Sequence, residues 1–186
     1  MITVGAVNFR NTTARADDSV NFFSSRGPTR GGYVDASGVR RADNLLKPDL
    51  VAPGNKVLGA AATSNYSSTW STLPSLFYST LVSPLNVPQP LYETHMWMSG
   101  TSIAAPSVAG TVALMLQANP GLTPPLVKAI LQYSAQALPG ANLLQQGAGL
   151  LNVDGAVSLA KSLRGDIASL VANGSVVSGQ SMLATS

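Results

Sequence analysis

Met98-Ser99-Gly100-Thr101-Ser102-Ile103-Ala104-Ala105-Pro106 is the stretch that most restricts what this chain can become. An extended run, Met96 to Met98, ends at Ser99-Gly100. A serine follows, and then a run of small and apolar residues, Ile103 to Ala118, with helical character. Strand, tight turn, serine and helix, in that order, present a side chain at a helix N-terminus. There the first N–H groups have no intrahelical partner and the dipole favours negative charge. An oxyanion formed at a carbonyl attacked by Ser102 would lie in that field, with the Ser102 N–H as one donor. Serine is also a preferred N-cap, and the bare pattern is met equally well by a capping residue. The distinction rests on the residues around it.

Composition narrows the classes. The 186 residues suffice for one domain with a real core. Only 10% are charged and 45% are hydrophobic, against about 25% charged in a usual soluble domain. The net charge of +3 arises from 11 basic and 8 acidic residues. Arg10, Arg15, Arg26, Arg30, Arg40 and Arg41 are interleaved with Asp17, Asp18, Asp35 and Asp43, which reads as a mixed surface and excludes a nucleic-acid patch. No unbroken run reaches the roughly 18 apolar residues of a membrane span. Cysteine is absent, so disulfide frameworks and thiolate chemistry are excluded.

The chain opens in Met1-Ile2-Thr3-Val4-Gly5-Ala6-Val7, which has none of the regions of a signal peptide and reads as a buried parallel strand. Such an opening is expected of a piece cut from something longer. Asn8 to Ser19 reads as a loop, Val20 to Pro28 as a short strand ending in a turn, and residues 29 to 46 as a surface loop. The prolines of Leu46 to Gly54 demote that segment from a regular central strand. Val57 to Ala61 is a further strand candidate. Residues 62–95 are too long for an ordinary connection and hold Tyr66, Trp70, Phe77, Tyr78 and Tyr92. They read either as an aromatic-stapled flap or as a wall of a cleft. The helix from Ser102 to about Ala118 is small or apolar all round, which predicts burial on every side. Asn119-Pro120-Gly121 stops it. Thr123 caps the next helix, with Pro124 at its first position. Gly147 to Val153 reads as a Gly-flanked strand and Asp154 to Leu163 as a last amphipathic helix. Residues 164–186 are weakly patterned and read as a C-terminal extension or the start of a further domain.

Gly100-Thr101-Ser102-Ile103-Ala104-Ala105-Pro106, followed by Val108-Ala109-Gly110 and Thr111 to Leu116, resembles the nucleophile segment of the subtilisin-like serine endopeptidases. It is not the Gly-x-Ser-x-Gly elbow of the α/β-hydrolases, because position 104 is Ala. Ser107 stands where the family often has His. Strand Ile2 to Val7, Phe23-Ser24-Ser25-Arg26-Gly27-Pro28, Lys47-Pro48-Asp49-Leu50-Val51-Ala52-Pro53-Gly54 and the Gly147–Val153 pattern are similar to later segments of the family, in order and spacing. The resemblance covers residues 1–163. It implies an α/β chain, the C-terminal part of a subtilisin-like three-layer fold, with a mainly parallel sheet and a buried central helix starting at the nucleophile. It implies peptide-bond hydrolysis through an acyl-enzyme on Ser102, support of the oxyanion by Thr101 and Gly100, and an extracellular or cell-surface setting. Trp97, Met98 and Ser99, with Trp70 and Tyr92, are expected to contact a protein or peptide substrate.

A serine needs a base and a group to orient it. The family's Asp, His and oxyanion Asn lie upstream of the segment resembling Met1 to Val7. The N-terminal half of the catalytic domain is therefore the expected partner, and this chain alone is expected to be inactive. His95, the only histidine, is expected to be a loop or cleft-edge residue, because an extended approach carries it away from Ser102. No cofactor is required. Lys47 beside Asp49 argues against a cation there, and Asp17-Asp18 reads as a solvated pair, too little for structural calcium. The alternative is a non-catalytic truncated or pseudoenzyme chain that binds peptide or a partner.

Overall fold

The structure is a computed structural model and describes residues 1–60, 81–82 and 95–184. Its centre is β1 (Val4–Asn8), paired in parallel with β5 (Leu50–Pro53) and, at its far end, antiparallel with β2 (Ser19–Val20). β5 is also bridged in parallel to Leu150 through Val51, so it is a central strand after all. The prolines allow this because of where they fall. Pro48 precedes the strand and Pro53 closes it, so neither removes a donor from the middle of the ladder. Gly147–Val153 contributes only that bridge and a second one from Leu150 to Gln136, in place of the expected strand.

β2 is shorter than the apolar residues of Val20 to Pro28 suggested. The Asn21 N–H still donates to the Ala6 carbonyl at 2.9 Å, but the Ser24 N–H then closes a turn onto Asn21. The Ser24 hydroxyl accepts the Ala6 N–H at 3.0 Å, standing in for the carbonyl a longer strand would have offered. Within the expected surface loop 29–46 lies a hairpin, β3 (Gly32–Val34) and β4 (Arg40–Ala42), exposed on both faces. With neither face buried, it shows no alternation by which to find it. β6 (Val57–Ala60), β8 (His95–Met98) and β7 (Leu81–Val82) form a separate antiparallel sheet with β8 in the middle.

Helix α1 (Thr101–Ala118) lies on β1 and β5 and beside α4 (Val153–Ser162), against which α2 (Pro124–Ser134) also packs. Ala6, Leu50, Ala52, Ala104, Val108, Met115, Ile130, Leu131, Ala156 and Ala160 form the core between them. Val7 and Val51 point the other way, against Leu138 and Leu150, as the period-2 alternation of strands requires. By length and mean hydropathy (1.3) alone α1 is long and apolar enough to cross a membrane; here its inner face is seated on the sheet.

α1 departs from the expectation of burial on every side. Only Ala104, Val108, Thr111 and Met115 are buried, whereas Ala105, Ala109, Ala113 and Leu116 are exposed. The sequence shows a helix suited to neighbours all round; the described residues cover one face. Its end is fixed by the buried Asn119. That amide donates to the carbonyls of Ala160 and Leu163 at 3.0 Å and of Arg164 at 3.2 Å, while its oxygen accepts the Gly121 N–H at 3.0 Å. Thr123 is the N-cap of α2, but its side chain makes no capping hydrogen bond. Asn142 instead forms a full capping box with Gln145 at the start of the short α3 (Leu143–Gln146). Beyond residue 163, α5 (Ile167–Ala172) forms and the chain returns to bridge Leu163 with Leu183.

Candidate active site

The start of α1 is held by two loops. Gly54, directly after β5, receives the Gly100 N–H on its carbonyl at 2.8 Å. A Cβ at Gly54 would stand 2.7 Å from the Ala6 Cβ and 2.8 Å from the Gly100 oxygen, so this approach needs glycine. Gly100 has φ +155°, a backbone open mainly to glycine, and its carbonyl accepts the N–H groups of Ile103 and Ala104. Ser99 anchors the turn sideways: its hydroxyl accepts the Lys56 N–H at 2.9 Å and donates to Asn55 at 3.3 Å. Gly54, Asn55 and Lys56 thus place the serine turn. The prolines and glycine of Leu46–Gly54 mark an extended piece with a turn, but the hold of that turn on the serine segment lies in contacts 43 and 44 positions apart.

Ser102 follows as the second residue of α1. It is exposed, and its hydroxyl makes no hydrogen bond among the described residues. The N–H groups of Thr101 and Ser102 belong to the first turn, where the helix ladder offers no acceptor. A neutral hydroxyl therefore stands, among the described residues, beside unpaired donors at the positive end of an 18-residue helix. No aspartate or glutamate occupies that first turn.

His95 is in a strand, not a loop. It begins β8 and pairs with Ala60 and Val82. At about 3.3 Å per residue, β8 alone sets it about 10 Å behind Met98, on a chain that does not fold back. Trp97 is 48% exposed and lies by a recess shared with Asn11 and Lys56. Met98 is half-buried and pairs with Val57. Trp70 and Tyr92 lie outside the described residues. Of the connection 62–95, β7 and His95 are described, and both belong to the β8 sheet.

Asp49 is enclosed by cations of the chain itself. Both its oxygens accept from the Lys47 ammonium, Lys128 reaches Oδ1 at 2.8 Å, and Oδ2 takes the Thr3 N–H at 2.7 Å. Burial alone would push its carboxyl up. The hydrogen bonds from Lys128, Lys47 and Thr3 outweigh that and hold it below the ordinary carboxylate range. Asp17-Asp18 is not a solvated pair: Asp18 is buried, 3.5 Å from Arg15, and Asp17 accepts from Thr12 at 2.9 Å. Among the described residues no cluster of three or more metal-binding side chains exists.

Residues 1–150 match the Subtilase family, Peptidase_S8. The chain belongs to the subtilases. The serine protease AprX of Bacillus subtilis is 33% identical over 157 residues, covering 84% of this chain and 29% of that protein. The extracellular protease of Xanthomonas campestris is 49% identical over 63 residues, 33% of this chain and 11% of its own length. Fervidolysin from Fervidobacterium pennivorans, a keratinolytic enzyme related to subtilisin, superposes with a TM-score of 0.55 at 26% identity, over 85% of this chain and 19% of that one. The fold is thus a subtilisin-like α/β arrangement, and this chain spans less than a third of these subtilases.

Proposed function

We propose that Ser102 is the acylated nucleophile of a subtilase serine endopeptidase, in which this chain is one part of the catalytic domain. The observation that carries this is an exposed hydroxyl at the N-terminus of α1, which, like the N–H groups of Thr101 and Ser102 beside it, has no hydrogen-bond partner among the described residues. When the serine oxygen attacks a peptide carbonyl, the carbonyl oxygen gains charge where those donors and the dipole act. Thr101 and Gly100 shape that pocket. Trp97, Met98 and Ser99 border the approach of the peptide. The base and the carboxylate that orients it come from the part of the domain outside this chain. No cofactor takes part, and the setting is extracellular, as the name of the Xanthomonas relative suggests. Labelling the assembled enzyme with a fluorophosphonate should place the adduct on Ser102, and Ser102→Ala should abolish hydrolysis. An adduct elsewhere, or full activity in the variant, rejects the assignment.

A second reading is a chain that binds peptide or a partner without catalysis. It is favoured by one observation: the sole histidine is held in β8, at the opposite end of that strand from Met98.

A further inference from the structure

Among the described residues the hairpin β3–β4 has no third strand on either side, and both of its faces are exposed. Its tip is closed by Asp35. Gly38 takes φ +76° and donates its N–H to the Asp35 carbonyl at 2.9 Å, while the Asp35 carboxylate accepts the N–H groups of Ser37 and Val39 at 3.0 Å. The Asp35 N–H donates to Val39 and the Asp43 N–H to Gly31, each at 3.0 Å. Tyr33 and Arg41 lie opposite each other between those two pairs. Bonded and non-bonded pairs alternate along an antiparallel ladder. The backbone groups of Gly32 and Val34 on one strand, and of Arg40 and Ala42 on the other, therefore point outward. They have no hydrogen-bond partner among the described residues. The ladder runs down to Thr29, whose N–H donates to the Leu45 carbonyl at 3.0 Å. That root lines a groove of about 670 Å³ that reaches Thr101, next to Ser102.

Charge is one-sided on this element. Residues 26–43 hold Arg26, Arg30, Arg40 and Arg41 against Asp35 and Asp43. Both carboxylates are engaged within the hairpin. Arg41 Nε donates to Asp35 at 2.8 Å, and the Thr29 hydroxyl donates to Asp43 at 2.6 Å. Arg26, Arg30 and Arg40 are exposed and have no carboxylate partner among the described residues. We infer that the outer edge of β4 is an exosite for an extended acidic segment of the polypeptide substrate. The segment joins the hairpin as a third strand, with its backbone paired to Arg40 and Ala42 and its carboxylates opposite Arg40 and Arg41. In strand addition the main chain gives affinity and the side chains give selectivity, and opposite charges facing each other across strands attract. A second copy of this chain, paired on the same edge, would set arginine against arginine. A neutral segment would gain the backbone bonds and leave Arg40 without a counter-ion. The closed turn orders the edge before a substrate arrives, which lowers the cost of binding. The fate of the bound chain rests on the reading of Ser102 given above; its binding to β4 does not.

The test uses the assembled enzyme and fluorogenic peptides that share one cleaved sequence. That sequence is bare, or carries a neutral or an acidic arm, placed in turn on each side of the cleaved bond. On one side the acidic arm should raise kcat/KM about tenfold over the neutral arm, through KM, with the gain shrinking at high salt. Arg40→Glu should remove the gain and leave hydrolysis of the bare peptide unchanged. N-methyl groups on alternate arm residues should weaken the acidic arm in one register and spare it in the other, because only alternate residues face β4. That measurement depends on no variant. Fluorescence anisotropy of the acidic arm alone, on the Ser102→Ala enzyme, reads binding apart from chemistry. Binding there that Arg40→Glu abolishes supports the exosite, even where Ser102→Ala keeps full hydrolysis and the nucleophile is rejected. Equal kcat/KM for the two arms, a gain that survives Arg40→Glu, or N-methylation without effect in both registers overturns the inference. So does self-association of the Arg40→Glu enzyme with the arm preference intact, which would make Arg40 the guard of a bare strand edge.

Discussion

The two faces of α1 are made of nearly the same residues and meet different surroundings. The inner face, Ala104, Val108, Thr111 and Met115, lies on β1 and β5 without exposed surface to speak of. The outer face, Ala105, Ala109, Val112 and Leu116, lines an open groove. Alanine appears on both because both require close approach. The side chains state how near a neighbour can come, while the sheet decides which face receives one. A helix whose polarity does not vary around its axis is thus a statement about a whole domain.

The sharpest way to break that contrast is to place the same cation on each face. Ala104→Arg puts an unpaired charge against Ala6 and Gly54, and should cost more than about 4 kcal/mol, leaving the chain unfolded. Ala105→Arg, one residue on, should change stability by less than about 1 kcal/mol in urea titrations of the isolated chain. Equal losses would mean that the outer face is covered in solution. Truncation is the gentler version. Met115→Ala should cost about 2–5 kcal/mol through the cavity it leaves, against about 0.5 kcal/mol for Leu116→Ala.

Asp49 tests whether the sheet beneath α1 depends on charge. Asp49→Asn leaves Lys47 and Lys128 without their counter-ion and should cost about 2–3 kcal/mol at pH 7. The carboxyl lies below its unfolded value of about 3.9, so its contribution is complete above that pH and is lost as pH falls through the folded value. The difference between the two proteins should therefore be full at pH 6 and close below about pH 4. A difference that persists unchanged into strong acid would place its origin in packing. The smallest effect belongs to the hairpin. Arg41→Ala removes an exposed ion pair with Asp35, and the melting temperature should not move measurably.

Several parts of this fold were legible from residues alone. Gly100 and Ser102 before a long apolar run gave the start of α1, and Asn119-Pro120-Gly121 gave its end, because glycine, proline and capping residues act locally. β5 was misjudged because the effect of a proline depends on which strand position it takes, and that follows from register with β1. The end of β2 was missed because Ser24 replaces a strand carbonyl with a hydroxyl 18 positions from Ala6 in sequence. Of the candidate site, the serine and its turn could be read. The grip of Gly54 and Ser99 on that turn could not, since both act across long sequence separations.

Asn119 carries a consequence for the ageing of the molecule. Its amide faces the carbonyl oxygens of Ala160, Leu163 and Arg164, so conversion to aspartate would aim an anion at three acceptors. Asparagine ordinarily makes that conversion by itself, when the nitrogen of the following residue attacks the side-chain amide and expels ammonia. The following residue here is Pro120, whose nitrogen has no hydrogen to give up, and the cyclic intermediate cannot form. The exposed Asn173 is followed by Gly174 and has no such protection. Over long storage, chemical damage should begin in the turn after α5, while the joint that holds α1 to α4 keeps its amide.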